Sequence, residues 1–213
     1  MSDHIIAQES TLFSLDPHLS VLDLEQIELL MEASENDPEF LAINPGGFIP
    51  ALVDGETTMV ESIAIMEYLM GRYGPTPMAP DPQEAQFGLY QQFLHLGEAG
   101  LATPMFMRVV SDILAPEAEK DNWGGRKGLQ MFEGRLRLVT RQLARAPWMA
   151  GEAFTAADIS ITYALQFAQR TVGFQFGEAE LAYIARTTAR PAYARAMDTC
   201  QATKAWAEEV SRR

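Results

Sequence analysis

The sequence has a single cysteine, Cys200, in 213 residues. One thiol excludes an intrachain disulfide and any metal site built from several cysteines. Histidine is scarce as well, with three in all. His18 and His95 are the two inside the expected folded body. They lie far apart, and no Ser/His/Asp spacing recommends a hydrolytic triad; His18 reads as a packed helix residue. No apolar run approaches the roughly 18 residues that a membrane span needs. Met1-Ser2-Asp3-His4 lacks the basic stretch and long apolar core of a signal peptide. A cytoplasmic protein with no membrane partner is the expectation. Positive charge is also in short supply. There are 16 Lys and Arg against 29 Asp and Glu, a net charge of −13. Nucleic-acid binders usually need a basic face, so no nucleic-acid partner is expected. Arg135, Arg137, Arg141 and Arg145 recur at helical spacing, and the reading is a solvated helix face.

What remains is an ordinary globular composition, 47% hydrophobic and 21% charged, long enough for one large or two small domains. Residues 74–82 hold four prolines and a glycine, which excludes a helix or a central strand. They read as a linker between residues 1–74 and residues 83–213. Before the linker the pattern is a strand at 4–9, a helix at about 15–25 and a strand at 27–31. After it everything reads as helix: 83–113, 122–146, 156–170, 178–186 and 191–204. Gly97, Gly100 and Pro104 predict a bend or break within the first of these. No repeat or low-complexity segment is evident.

Residues 38–73 organise the first half. Asn44-Pro45-Gly46-Gly47 is a cluster of turn formers. Ile49 to Val53 is a short apolar run read as a strand, Asp54-Gly55 a hairpin turn, and Thr57 to Val60 the return strand. A helix then begins at Glu61-Ser62, with Ile65, Met66, Leu69, Met70 and Tyr73 on one face. Proline has no N–H for a ladder, so Pro50 must open its strand or lie on an edge. The backbone groups of Ile49 are then free for an outside partner, and a cis Ile49–Pro50 bond would aim them away from the sheet. The amides at the Ser62 helix start attract a carboxylate, and Glu61 beside them can take an ammonium. An ordinary hairpin followed by a capped helix would show the same spacing.

The ordered motif NPGG, FIPAL, VDG, ETTMV, ES, IAIMEYL resembles the glutathione-binding half of the glutathione transferase family. The resemblance implies a fold that is α/β plus all-α: an N-terminal thioredoxin-like domain followed by a C-terminal helical bundle. It implies glutathione as co-substrate, no metal, and binding through Ile49, Pro50, Glu61 and Ser62. The second partner would be a small apolar electrophile, in the manner of a detoxification enzyme. Relatives are usually two-fold homodimers. Phe154-Thr155-Ala156-Ala157-Asp158-Ile159 resembles the capping box of that family's helical domain, with Phe154 and Ile159 at the staple positions.

Such enzymes hold a thiolate with a donor near the start of the first helix. Here Ser14-Leu15-Asp16-Pro17-His18-Leu19 is similar to the bacterial beta class pattern Cys-Ser-Leu-Ala-Pro-His-Ile. Phe13 stands at the cysteine position, and the class's His-Lys pair falls at Ala99 and Gly100, so both elements of cysteine chemistry are missing. Ser14 is the expected thiolate donor, with helix N-capping as its other reading; Ser10 is the runner-up. Phe48 stands where many relatives have a Lys or Gln that reaches the glycine carboxylate of glutathione. Phe cannot make that contact, which implies low affinity or an altered ligand. A weakly active transferase is the leading expectation. Related glutathione-dependent reactions and a non-catalytic binding module are the alternatives. Met105, Phe106, Val109, Trp123, Phe167 and Phe174 form a pool of candidates for an apolar co-substrate pocket.

Overall fold

A capping aspartate opens the described part of the chain. The computed structural model describes residues 37–199, so the expected elements of residues 4–31, and with them Ser10, Phe13, Ser14 and His18, lie outside the described residues. Asp37 accepts from the amides of Glu39 and Phe40 at 2.9 and 3.4 Å and caps helix α1, Pro38–Ile43. Pro38 fills the first helical position, where its missing N–H costs nothing. The sequence reading does not include this helix, although Asp-Pro is its local signal. Phe40 is its buried residue.

The expected hairpin forms with shifted bounds: β1, Ala51–Asp54, pairs antiparallel with β2, Thr57–Val60, so Asp54 ends the strand and Gly55-Glu56, not Asp54-Gly55, makes the turn. The register sets Ala51 against Val60, Leu52 against Met59, Val53 against Thr58 and Asp54 against Thr57. The strand begins just after Pro50, where a ladder first finds an N–H to use. Ala51 and Leu52 are its buried residues. Helix α2, Ser62–Tyr73, has no fully buried residue. Ile65, Met66, Leu69 and Met70 are half-buried, and Tyr73 is exposed.

The described residues divide into two compact units, with boundaries between Ile65 and Met66 and between Thr187 and Thr188. The first boundary falls within α2. The proline-rich segment 74–82 contains neither helix nor strand. Both Ile49–Pro50 and Gly74–Pro75 are cis; the first is the expected one.

The second unit is helical. The stretch expected to be one bent helix resolves into α3, Phe87–His95, a π-helical segment Leu96–Ala102, α4, Thr103–Val109, and a second π-helical segment Val110–Leu114. Its crossing with α6, Ala156–Val172, has a physical basis. A Cβ at Gly97 would lie 2.1 Å from Ser160 Oγ, so only glycine permits the approach. Ser160 Oγ donates to Leu94 O at 2.7 Å. Helix α5, Trp123–Leu143, begins at Asn122, whose side chain accepts from Gly125 N at 3.0 Å. Helix α7, Glu178–Thr188, follows, and α8, Pro191–Thr199, falls in the first unit.

The core of this unit includes Phe93, Leu94, Leu101, Met105, Phe132, Ile161, Leu165 and Tyr183. The pool of pocket candidates splits rather than gathering. Met105, Val109 and Phe167 are core, while Phe106 and Trp123 are exposed, Trp123 at 72%. Phe174 packs edge-on against Phe132 with centroids 4.9 Å apart. On α5, Arg137 and Arg141 are exposed, as is Arg145 beyond its end. Arg135 donates to Gly100 O at 3.1 Å. Three of the four arginines therefore form the solvated face, and the fourth ties two elements together.

The capping box forms at the start of α6. Thr155 N donates to Asp158 Oδ2 at 2.9 Å. Two further donors converge on the other oxygen: Met149 N at 2.9 Å and Tyr183 OH at 2.8 Å. Asp158 has no exposed surface. Burial raises its carboxyl above the ordinary 3.8, against the pull of these hydrogen bonds. Burial also pushes the Tyr183 phenol well up, with Asp158 adding to it. Of the two staple residues, Phe154 meets Trp148 edge-on at 5.4 Å, while Ile159 is exposed.

Candidate functional site

The hairpin register assembles the site. Because Ala51 faces Val60, the residues before Ala51 and those after Val60 leave the ladder side by side. Ile49-Pro50 and Glu61-Ser62 are thereby brought to one end of the hairpin. Ile49, Pro50 and Ser62 are half-buried and Glu61 is exposed. Sequence spacing placed all four in one motif; the ladder makes them neighbours.

Glu61 has φ of 75°, the left-handed region that a residue with a Cβ rarely occupies. Such backbone strain is kept where the surrounding structure fixes it, and it gathers at functional sites. Ile65 N donates to Glu61 O at 2.9 Å, which closes the first turn of α2. The amides of Ser62, Ile63 and Ala64 precede that bond and have no acceptor within the helix. Among the described residues, the Glu61 carboxylate and the Ser62 hydroxyl take no hydrogen-bond or ion-pair partner. Among the described residues, one short segment thus offers N–H groups without an acceptor for an anion, beside an unpaired carboxylate for a cation.

The loop before Ile49 is held by Asn44, which is buried at 4% exposure. Its Oδ1 accepts from Gly46 N at 3.0 Å, and its Nδ2 donates to Phe48 O. Gly47, with φ of 69°, turns the chain back and donates to Asn44 O at 3.0 Å. Sequence reasoning marks Asn44 as a turn former. That it positions the residue before Ile49 is a role the turn cluster does hint at, because asparagine side chains bond their own backbone two residues on.

His95 is exposed. Its Nε2 lies 4.0 Å from Glu67 Oε1 and 3.3 Å from Gln91 Oε1, a surface arrangement with no nucleophile in it. Burial, with a smaller effect of Glu67, raises the Tyr90 phenol to about 12. Among the described residues no group of three or more His, Cys, Asp and Glu could hold a metal. No helix among them is long and apolar enough to cross a membrane.

A hairpin opened by a proline, a helix start with free amides and a separate helical unit define a class of fold, and the comparisons agree with it. Residues 18–71 match the N-terminal domain of glutathione S-transferases. Glutathione S-transferase 2 of Anopheles gambiae is 32% identical over 154 residues, 72% of this chain and 70% of that protein. Glutathione S-transferase 3 of Schizosaccharomyces pombe is 28% identical over 153 residues, 62% of this chain and 59% of that one; the match thus spans about three fifths of that relative's length. A theta class glutathione S-transferase from Xanthomonas axonopodis pv. citri, solved with glutathione bound, aligns at a TM-score of 0.62 and 26% identity, covering 76% of this chain and 77% of the other. The chain belongs to the glutathione S-transferase family, with that family's thioredoxin-like and helical architecture.

Proposed function

We propose that the chain is a glutathione transferase that binds glutathione at Ile49, Pro50, Glu61 and Ser62 and conjugates it to a small apolar electrophile. The observation that carries the reading is the open start of α2. Free amides at Ser62–Ala64 suit the γ-glutamyl carboxylate, and the exposed Glu61 beside them suits its ammonium. The ladder begins at Ala51, so the backbone of Ile49 is available to pair with the cysteine of the tripeptide as an added strand would. The solved relative carrying glutathione supports this choice of ligand. Ser14 is the proposed donor to the thiolate, with Ser10 next. A hydrogen bond aimed at the sulfur gains most once charge forms there, and the helix start adds favourable field.

The same reading takes the proline-rich segment 75–82 as the boundary between a thioredoxin-like domain of residues 1–74 and a helical domain of residues 83–213. It takes the half-buried face of α2, with the exposed Tyr73, as part of a two-fold homodimer contact. It places the protein in the cytoplasm, where thiols are kept reduced. A second reading, a non-catalytic binding module, is favoured by Phe13 at the cysteine position of the similar class pattern.

Retention on immobilised glutathione, followed by turnover of a generic electrophile by wild type and Ser14→Ala, separates these readings. The transferase reading expects retention of both proteins and a turnover loss in the variant on the order of a hundredfold. Retention without measurable turnover in the wild type favours the binding module. Full turnover in Ser14→Ala moves the catalytic role to Ser10 or a backbone amide. Failure to retain the wild type overturns the glutathione reading.

A further inference from the structure

We infer that Phe48 selects a γ-glutamyl thiol whose carboxy-terminal end is uncharged, such as an amide or ester of glutathione, over glutathione itself. The inference rests on the glutathione reading above and names the ligand class for that same site. Phe48 immediately precedes Ile49 and is 46% exposed. Its ring covers the turn: a Cβ on Gly46 would lie 2.7 Å from Phe48 Cε1. Its carbonyl is taken by Asn44 Nδ2. Asn44 is buried at 4% exposure, with its Oδ1 accepting from Gly46 N. The loop therefore shows a ligand an exposed phenyl ring, with its one amide side chain buried.

The direction of the ligand follows from the hairpin. Glu61 and Ser62 leave the ladder beside the Pro50 end of β1. A ligand with its γ-glutamyl end there and its middle on Ile49 carries its far end toward Phe48. In glutathione that end is a carboxylate. Laid against a phenyl ring it loses hydration and gains no hydrogen bond, which is costly for a charged group. The wider field works against it too. Residues 1–71 contain no lysine or arginine and 14 Asp and Glu; all 16 Lys and Arg lie from Arg72 onward. A chain of net charge −13 repels a further anionic group. An amide or ester end avoids both penalties and gains apolar contact with the ring.

Titration calorimetry of the full chain with glutathione and with its glycyl ethyl ester tests this, because the two ligands share the thiol and the γ-glutamyl end. The wild type is expected to bind the ester more tightly, on the order of tenfold, about what one charge-assisted contact is worth. Phe48→Lys is expected to reverse the order, tightening glutathione and weakening the ester, which loses its contact with the ring. Glutathione binding as tightly as the ester to the wild type, or an unchanged order in Phe48→Lys, overturns the selection by Phe48 and leaves the glutathione reading intact. Absence of binding by both ligands at millimolar concentration overturns that reading and the selection with it.

Discussion

Two helices of this chain begin with a small hydroxyl residue and a nearby acid, and the two starts are in opposite states. At the start of α6, Thr155 and Asp158 close on each other, and Met149 and Tyr183 fill the remaining carboxylate positions. At the start of α2, Glu61 is exposed and Ser62 half-buried, and among the described residues their side chains have no partner. The first acid is fully buried and the second exposed. The first helix is entered from an extended Thr155, with φ of −134°; the second is entered from a strained Glu61. Helix starts carry the same partial positive charge in both places. What differs is who satisfies it. Where the chain satisfies its own amides, the start contributes stability. Where it leaves them open at some cost in strain, the start is available to a ligand.

The largest way to break the comparison is Asp158→Ala. It removes the cap and leaves the Thr155 and Met149 amides and the Tyr183 hydroxyl without their acceptor. The expected loss is about 2–4 kcal/mol, more than a surface cap alone, read from urea unfolding; an unchanged midpoint would show the box to be dispensable. Glu61→Ala should do the reverse. It leaves stability nearly intact and weakens glutathione binding by about tenfold, the worth of one charge-assisted contact. Glu61→Gly sharpens this further. Relief of the left-handed backbone should raise stability by about 0.5–1 kcal/mol while binding falls as in the alanine variant. Equal losses of stability at both helix starts would dissolve the contrast. Tyr183→Phe should cost about 1 kcal/mol, one hydrogen bond at the edge of the sealed network.

The sealed start also has a pH signature. Burial raises the Asp158 carboxyl above 3.8, so the folded chain holds that proton more tightly than the unfolded chain. By linkage, the stability Asp158 contributes is greatest below its unfolded value and declines as pH rises through the raised folded one. The stability gap between wild type and Asp158→Ala is therefore expected to narrow from acid toward neutral pH. A gap that widens would reverse the sign of the argument.

Local chemistry was legible in the sequence, and contacts across the fold were not. The hairpin follows from Pro50, Asp54-Gly55 and the apolar run between them, each acting over a few residues. The capping box follows from Thr155 and Asp158 for the same reason. Its other two donors do not, since Met149 and Tyr183 lie 9 and 25 residues from Asp158. The break in the helix after α3 is signalled by Gly97, Gly100 and Pro104. Its π-helical form accompanies a crossing with Ser160, whose hydroxyl reaches Leu94 from 66 residues away. Met105, Val109 and Phe167 illustrate the limit from the other side: an apolar side chain reads the same in a core as in a pocket. Glu61 is legible as an acid at a helix start, but its left-handed backbone comes from the junction of β2 with α2, which residue type alone does not specify.

The most direct measurement of the central claim is an amide-resolved NMR titration of the full chain with glutathione. The account predicts that the amides of Ser62, Ile63, Ala64 and Ile49 shift with a common dissociation constant, while those of Met149, Thr155 and Asp158 stay in place. Shifts confined to other regions, or a start of α2 as silent as the start of α6, would contradict it.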